Sequence, residues 1–154
     1  MTGEIEARLK ALNLTLPEVA SPVANYVPFL HINGLLYISG QLPMRDGKVA
    51  VAGQLGKELE TEDGMEAARI CLLNILAQAH NALRDLDRIA QAVRLTGFVN
   101  SAPSFTEHPK VINGASDLLV EILGDKGRHT RAAVGCASLP LGAAVEIDAI
   151  FAIE

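Results

Sequence analysis

Little in this chain is suited to disulfide, metal or membrane chemistry. It has two cysteines in 154 residues, Cys71 and Cys136. Both lie in apolar surroundings with no CxxC pair and no adjacent histidine, so reduced structural thiols are expected. The four histidines, His31, His80, His108 and His129, never fall at the spacing of HExxH or of a Cys/His ligand set. No zinc site and no cofactor are therefore expected. Gly53-Gln54-Leu55-Gly56-Lys57 is too short for a phosphate-binding loop and is followed by Glu58, not Ser or Thr. There is no GxSxG for a hydrolytic serine. Basic residues are the minority, 13 against 18 acidic, giving a net charge of −5. An acidic surface repels phosphate backbones, which argues against nucleic acid as a partner. The opening MTGEIEARLK lacks the apolar core of a signal peptide, and no apolar run reaches the ~18 residues of a membrane span. A cytoplasmic location is expected.

What is present reads as one domain with mixed structure. Apolar residues make up 49% and charged ones 20%, enough for a buried core at this length. Ile5, Leu9 and Leu12 predict a short amphipathic helix; Asn13 to Pro22, with two prolines, reads as loop. Two β-like runs, Tyr26 to Ile32 and Leu35 to Ser39, flank Asn33-Gly34, a strong hairpin signal. Arg45-Asp46-Gly47-Lys48 offers a second tight turn before Val49-Ala50-Val51. Thr61 reads as the N-cap of a long helix with Met65, Ala68, Leu72, Ile75, Leu76, Ala79 and Leu83 on one stripe, ending near Arg84. A strand is predicted over Ile89 to Asn100 and a second helix over Pro109 to Leu123, stopped by Gly124. Two last strands, Thr130 to Ser138 and Ala143 to Ile153, are joined by Leu139-Pro140-Leu141-Gly142. The economical packing is α+β: a mixed sheet of about six strands with two helices on one face.

Two charges stand out in apolar strands. Arg131 opens RAAVGCASL, and Glu146 interrupts the alternation of Val145, Ile147, Ala149 and Phe151. A guanidinium cannot shed its charge, so burying it requires a partner. Either the two residues pair, or both edges reach water, or Arg131 grips a ligand carboxylate bidentately. A turn centred on Pro140 and Leu141 would set Arg131 opposite Ile150 and Glu146 opposite Gly135. Both charges would then share one face, roughly 13 Å apart, too far for a direct pair. The sheet face left bare by the helices needs a cover, and self-association is the natural one. For Ser39-Gly40-Gln41-Leu42-Pro43, at the end of an apolar strand, the choice lies between a plain turn and the wall of a pocket. Tyr26 is either a core aromatic or a rim hydroxyl, and Asn113 an ordinary helix-surface amide unless a ligand calls on it. His31 and His108 read as surface or loop residues, and Asp148 as a solvated partner for a nearby base.

The chain resembles the RidA/YjgF family, also called the L-PSP endoribonuclease family. The resemblance rests on Asn25-Tyr26-Val27 with Leu36-Tyr37-Ile38-Ser39-Gly40-Gln41-Leu42-Pro43, on Gly97-Phe98-Val99 with Phe105 and Asn113, and on Thr130-Arg131-Ala132-Ala133-Val134, Leu139-Pro140 and Val145-Glu146-Ile147-Asp148-Ala149. It covers residues 23 to 153, so residues 1–22 would be an N-terminal extension carrying the short helix and 23–154 the single domain. The resemblance implies a chorismate-mutase-like fold and a homotrimer with clefts between subunits. It implies a metal-free deaminase that hydrolyses 2-imino or enamine acids to 2-keto acids and ammonia. Arg131 would hold the substrate carboxylate and Glu146 would position or activate water, while Tyr26, Ser39, Gly40, Asn113 and Ala133 would line the pocket. The alternatives are a trimeric carboxylate-binding regulator without turnover, and an L-PSP-type endoribonuclease or translation inhibitor. Two departures are notable: His129 stands where the family usually has Pro, and Ala133 where it often has Cys.

Overall fold

The computed structural model describes residues 3–19 and 24–154. The expected boundary between residues 22 and 23, and the end of the predicted loop at 20–22, lie outside the described residues. Helix α1 (Glu4–Ala11) is followed by β1 (Phe29–Ile32), β2 (Leu35–Gln41) and the two-residue strands β3 (Met44–Arg45) and β4 (Lys48–Val49). Then come α2 (Thr61–Leu83), β5 (Ile89–Asn100), α3 (His108–Leu123), β6 (Thr130–Cys136) and β7 (Val145–Ile153). Five strands form one sheet in the order β1-β2-β7-β5-β6, while β3 and β4 form a separate ribbon. The sheet thus has five strands where about six were expected, and Tyr26 lies in a bend ahead of β1.

Local signals explain the turns. Asn33 and Gly34 both take positive φ, 52° and 74°, as do Asp46 and Gly47, 53° and 76°. Those values suit the turn that matches strand twist, and Asn-Gly and Asp-Gly adopt it at little cost. Thr61 is not the N-cap of α2. Glu60 is, in a reciprocal capping box with Asp63, and Thr61, one residue inside, donates to Glu107 Oε2 at 2.6 Å. Helix α1 borrows its cap from afar: Asp87 accepts from the backbone N–H of Glu4 (2.8 Å) and Ile5 (2.9 Å).

The helices cover one sheet face. Leu72, Ile75, Leu118, Leu119 and Ile122 meet Leu36, Leu95, Ile147 and Phe151 there, with Ile5 and Leu9 of α1 in the same cluster. The seam between α2 and α3 is tight: a Cβ on Gly114 would run into the Met65 carbonyl. The opposite face is open and apolar, with Leu30 53%, Tyr37 41% and Val134 46% exposed. Among the described residues no helix is long and apolar enough to cross a membrane.

The tail differs most from expectation. β6 and β7 do not form a hairpin; β6 runs parallel to β5 and β7 inserts between β2 and β5. The segment from β5 through α3 to β6 is a crossover unit, the usual way of joining parallel neighbours. The predicted register, with Arg131 opposite Ile150, is therefore replaced by Arg131 opposite Leu95.

Candidate functional site

Directly paired residues in a sheet point to the same side. Arg131 pairs with Leu95, a core residue, and so points toward the helices. Glu146 pairs with Phe98, which pairs with exposed Val134, and so points to the open face. The two charges that the hairpin register put on one face thus lie on opposite faces of the sheet. They do not pair with each other, and the expected residues fall into two groups.

The first group occupies a pocket of about 430 Å³ on the open face, lined by Tyr26, Tyr37, Ser39, Gly40, Glu146 and Asp148 among others. The register between β2 and β7 slips after Ile38, so that three steps along β2 to Gln41 match two along β7. This is a β-bulge, a device that re-aims side chains beside functional sites. Gly40 sits at the bulge, and a Cβ there would collide with the Glu146 carboxylate where it now stands. Ser39 donates to the Val27 carbonyl at 2.7 Å, and its N–H donates to the Pro28 carbonyl at 2.9 Å. Its hydroxyl thereby tethers the bend that carries Tyr26 over the pocket. Burial, followed by the repulsion of Asp148, raises the Glu146 carboxyl above its ordinary value. Burial also raises Asp148, against the pull of Thr96 and Arg94. Two carboxyls held two residues apart on one strand can exchange protons with a guest.

The second group lies at the edge strand beneath α3. Arg131 Nη1 donates to Asn113 Oδ1 at 2.8 Å and to Ser116 Oγ at 3.0 Å, and Nη2 donates to the Pro109 carbonyl at 3.1 Å. All three acceptors are neutral. Of a guanidinium's five N–H donors, Nε–H and one on Nη2 therefore have no acceptor among the described residues. That leaves enough for a bidentate carboxylate. Asn113 reaches this cradle because it sits on α3 facing the edge strand. Ala133 lies two residues along from Arg131 on the same side, opposite Gly97, and packs against the core.

Sequence reasoning missed several participants. Ser116 was detectable as a polar residue one turn beyond Asn113. Tyr37 and Asp148 were detectable by alternation with Ser39 and Glu146; the reading of Asp148 as a solvated partner for a nearby base finds Arg94 beside it but leaves out its place in the pocket wall. The Pro109 carbonyl left no signal. His108 is not a surface residue: half-buried, it stands 3.1 Å from Ser101 Oγ and edge-on to Phe105. Among the described residues no three His, Cys, Asp or Glu side chains cluster as metal ligands would.

Comparison with known proteins agrees with this fold. Residues 6–152 match the family model described as "YjgF/chorismate_mutase-like, putative endoribonuclease". Protein TCP17 of Trypanosoma cruzi is 48% identical over 97% of this chain and 94% of its own length. A protein of unknown function from Agrobacterium tumefaciens superposes with a TM-score of 0.93 at 53% identity, covering 98% of this chain and 93% of that one. A "putative endoribonuclease" from Shewanella oneidensis superposes with a TM-score of 0.94 at 40% identity, covering 97% and 99%. On the strength of a family match across nearly the whole chain, the protein belongs to the YjgF/chorismate-mutase-like family.

Proposed function

We propose that the protein is a metal-free deaminase of 2-imino acids, with its site built between copies of the chain in a homotrimer. The observation that carries this reading is the state of Arg131, a cation held by three neutral acceptors, with donors to spare and no carboxylate of the described chain against it. Such a group suits the carboxylate end of a small acid. The iminium end is positive and suits a wall that carries Glu146 and Asp148. Because Arg131 and Glu146 face opposite sides of one sheet, a substrate that touches both needs Arg131 from one protomer and Glu146 from its partner. The open apolar face is the surface such a partner would cover.

The chemistry needs no metal. C2 of a protonated 2-imino acid is already electrophilic. Glu146 takes a proton from an attacking water as oxygen bonds to C2, then returns it to the nitrogen. Collapse of the N-protonated carbinolamine breaks the C–N bond as the hydroxyl proton passes through Glu146 to the departing ammonia, leaving ammonium and the 2-keto acid. A carboxyl raised by burial is well matched to both transfers. The same carboxyls would repel a phosphodiester, which disfavours RNA cleavage.

The test is keto-acid release from imines generated by an amino-acid oxidase. Arg131→Ala and Glu146→Gln should each abolish it. Refolding the two variants together should restore about a quarter of wild-type activity, because only sites joining the two intact residues across copies work. No restoration would overturn the shared site. Wild-type protein that binds 2-keto acids without accelerating release would instead point to a regulator.

A further inference from the structure

Beside Arg131 lies a hydrogen-bond chain whose direction is fixed by its first member. The Gly127 carbonyl stands 2.6 Å from His129 Nδ1. A carbonyl only accepts, so Nδ1 carries the hydrogen and, in the neutral ring, Nε2 offers a lone pair. Ser116 Oγ lies 2.8 Å from that Nε2, so the serine hydroxyl must donate to the ring. Its oxygen then turns lone pairs outward, and Arg131 Nη1 donates to one of them at 3.0 Å. Without His129, Ser116 would be free to turn its hydrogen elsewhere. A serine within a helix commonly donates to the carbonyl one turn back, and its oxygen would then no longer be aimed at the guanidinium.

We propose that His129 is a positioning residue: acting through Ser116, it holds the Arg131 guanidinium in the orientation that receives a substrate carboxylate. The proposal rests on the deaminase reading for the identity of the anion only; the relay itself is a property of the chain. It also accounts for a histidine two residues before the arginine, where the family pattern has a proline that could not take part in such a chain.

Two readouts test it together. The first is the Nη resonances of Arg131 in isotope-labelled, ligand-free protein, which resolve only when hydrogen bonds slow rotation of the guanidinium. The second is the split between KM and kcat in the imine assay. His129→Phe, which keeps a ring but no acceptor, should broaden the Nη1 signals, which then keep only the Asn113 bond, and raise KM about tenfold with little change in kcat, because the contact is made alike in ground and transition states. His129→Gln can set an amide oxygen where Nε2 stands and should restore both. Ser116→Ala should match His129→Phe, and the double variant should be no worse than either single one, since both act through one bond. The proposal is overturned if Arg131 gives no resolved Nη signals in the wild type, if His129→Phe leaves them unchanged, or if the two single effects add. Turnover with an unmoved Arg131 sinks the relay alone. A responsive Arg131 without turnover sinks the deaminase reading and leaves the relay standing. Should His129→Phe fail to fold, Ser116→Ala and His129→Gln carry the same comparison.

Discussion

The two halves of the candidate site are built in opposite ways. The cation under α3 is fixed by the chain itself, with an amide, a hydroxyl and a backbone carbonyl each accepting from Arg131. The Glu146 carboxyl on the open face is not. Glu146 is raised by burial and by its neighbour Asp148, with no hydrogen bond offsetting either. The lesson is a division of labour. On the proposed reading, the group that would hold a charge is locked, whereas the group that would move a proton is left unpartnered, where proton transfer is easiest.

Substitutions can break or sharpen this contrast. The largest effect should come from Gly114→Ala, in the helix layer that carries Asn113 and Ser116. The new methyl meets the Met65 carbonyl, and a backbone obstacle cannot yield as a side chain can. Overpacking there should cost about 3 kcal/mol and lower Tm by about 6–12 °C, read by thermal melting. Gly40→Ala should behave differently. It collides with the Glu146 carboxylate on the uncovered side, which can swing away but loses its place. Activity should fall about 100-fold while Tm moves by no more than about 2 °C. If Gly40→Ala unfolds the protein as Gly114→Ala does, the open face is as rigid as the closed one and the contrast fails.

A smaller effect tests the strained carboxyl. Folding raises the Glu146 pKa, so this residue favours the fold below its unfolded value and works against it as pH climbs through the raised one. Glu146→Gln should therefore be more stable than wild type near pH 8, by about 1–2 °C after allowance for solvent screening. The gain should shrink to nothing below about pH 4. A gain that grows on acidification would have the wrong sign. The smallest effect should be that of Asp87→Ala, which removes the cap of α1 at a cost of about 0.5–1 kcal/mol. The two backbone N–H groups hold the Asp87 carboxyl below its ordinary value, so the wild-type advantage should be present at neutral pH and fade as pH drops through the carboxylate range. Paired melts at pH 7 and pH 3 check this.

Much of the architecture could be read from the chain because its signals are local. The hairpin at Asn33-Gly34, the stripe of α2 and the Gly124 stop each depend on neighbours within a few residues. The pairing of the tail does not. Leu139-Pro140-Leu141-Gly142 looks like a hairpin turn, but it carries the chain from an edge strand to the middle of the sheet. A change of pairing partner reassigns faces, which is why Arg131 and Glu146 parted company. Their identities were visible in the sequence as charges stranded in apolar strands. Their separation was not, because it depends on β5, more than thirty residues upstream of Arg131, serving both. Ser39 illustrates a finer limit: the residue type suggested a pocket wall, but only the fold shows its hydroxyl spent on the Val27 carbonyl.

The sheet order has one more consequence. β7, made after the other four strands of the sheet, fills the slot between β2 and β5. As the polypeptide leaves the ribosome, residues 89–136 can already close their local crossover and assemble the Arg131 cradle. β2 and β5 must wait with bare edges until residues 145–153 emerge. The Arg131 cradle is thus ready early in synthesis and the acidic wall only once β7 emerges, so a nascent chain stalled before residue 145 exposes two unpaired strand edges to its neighbours on the polysome.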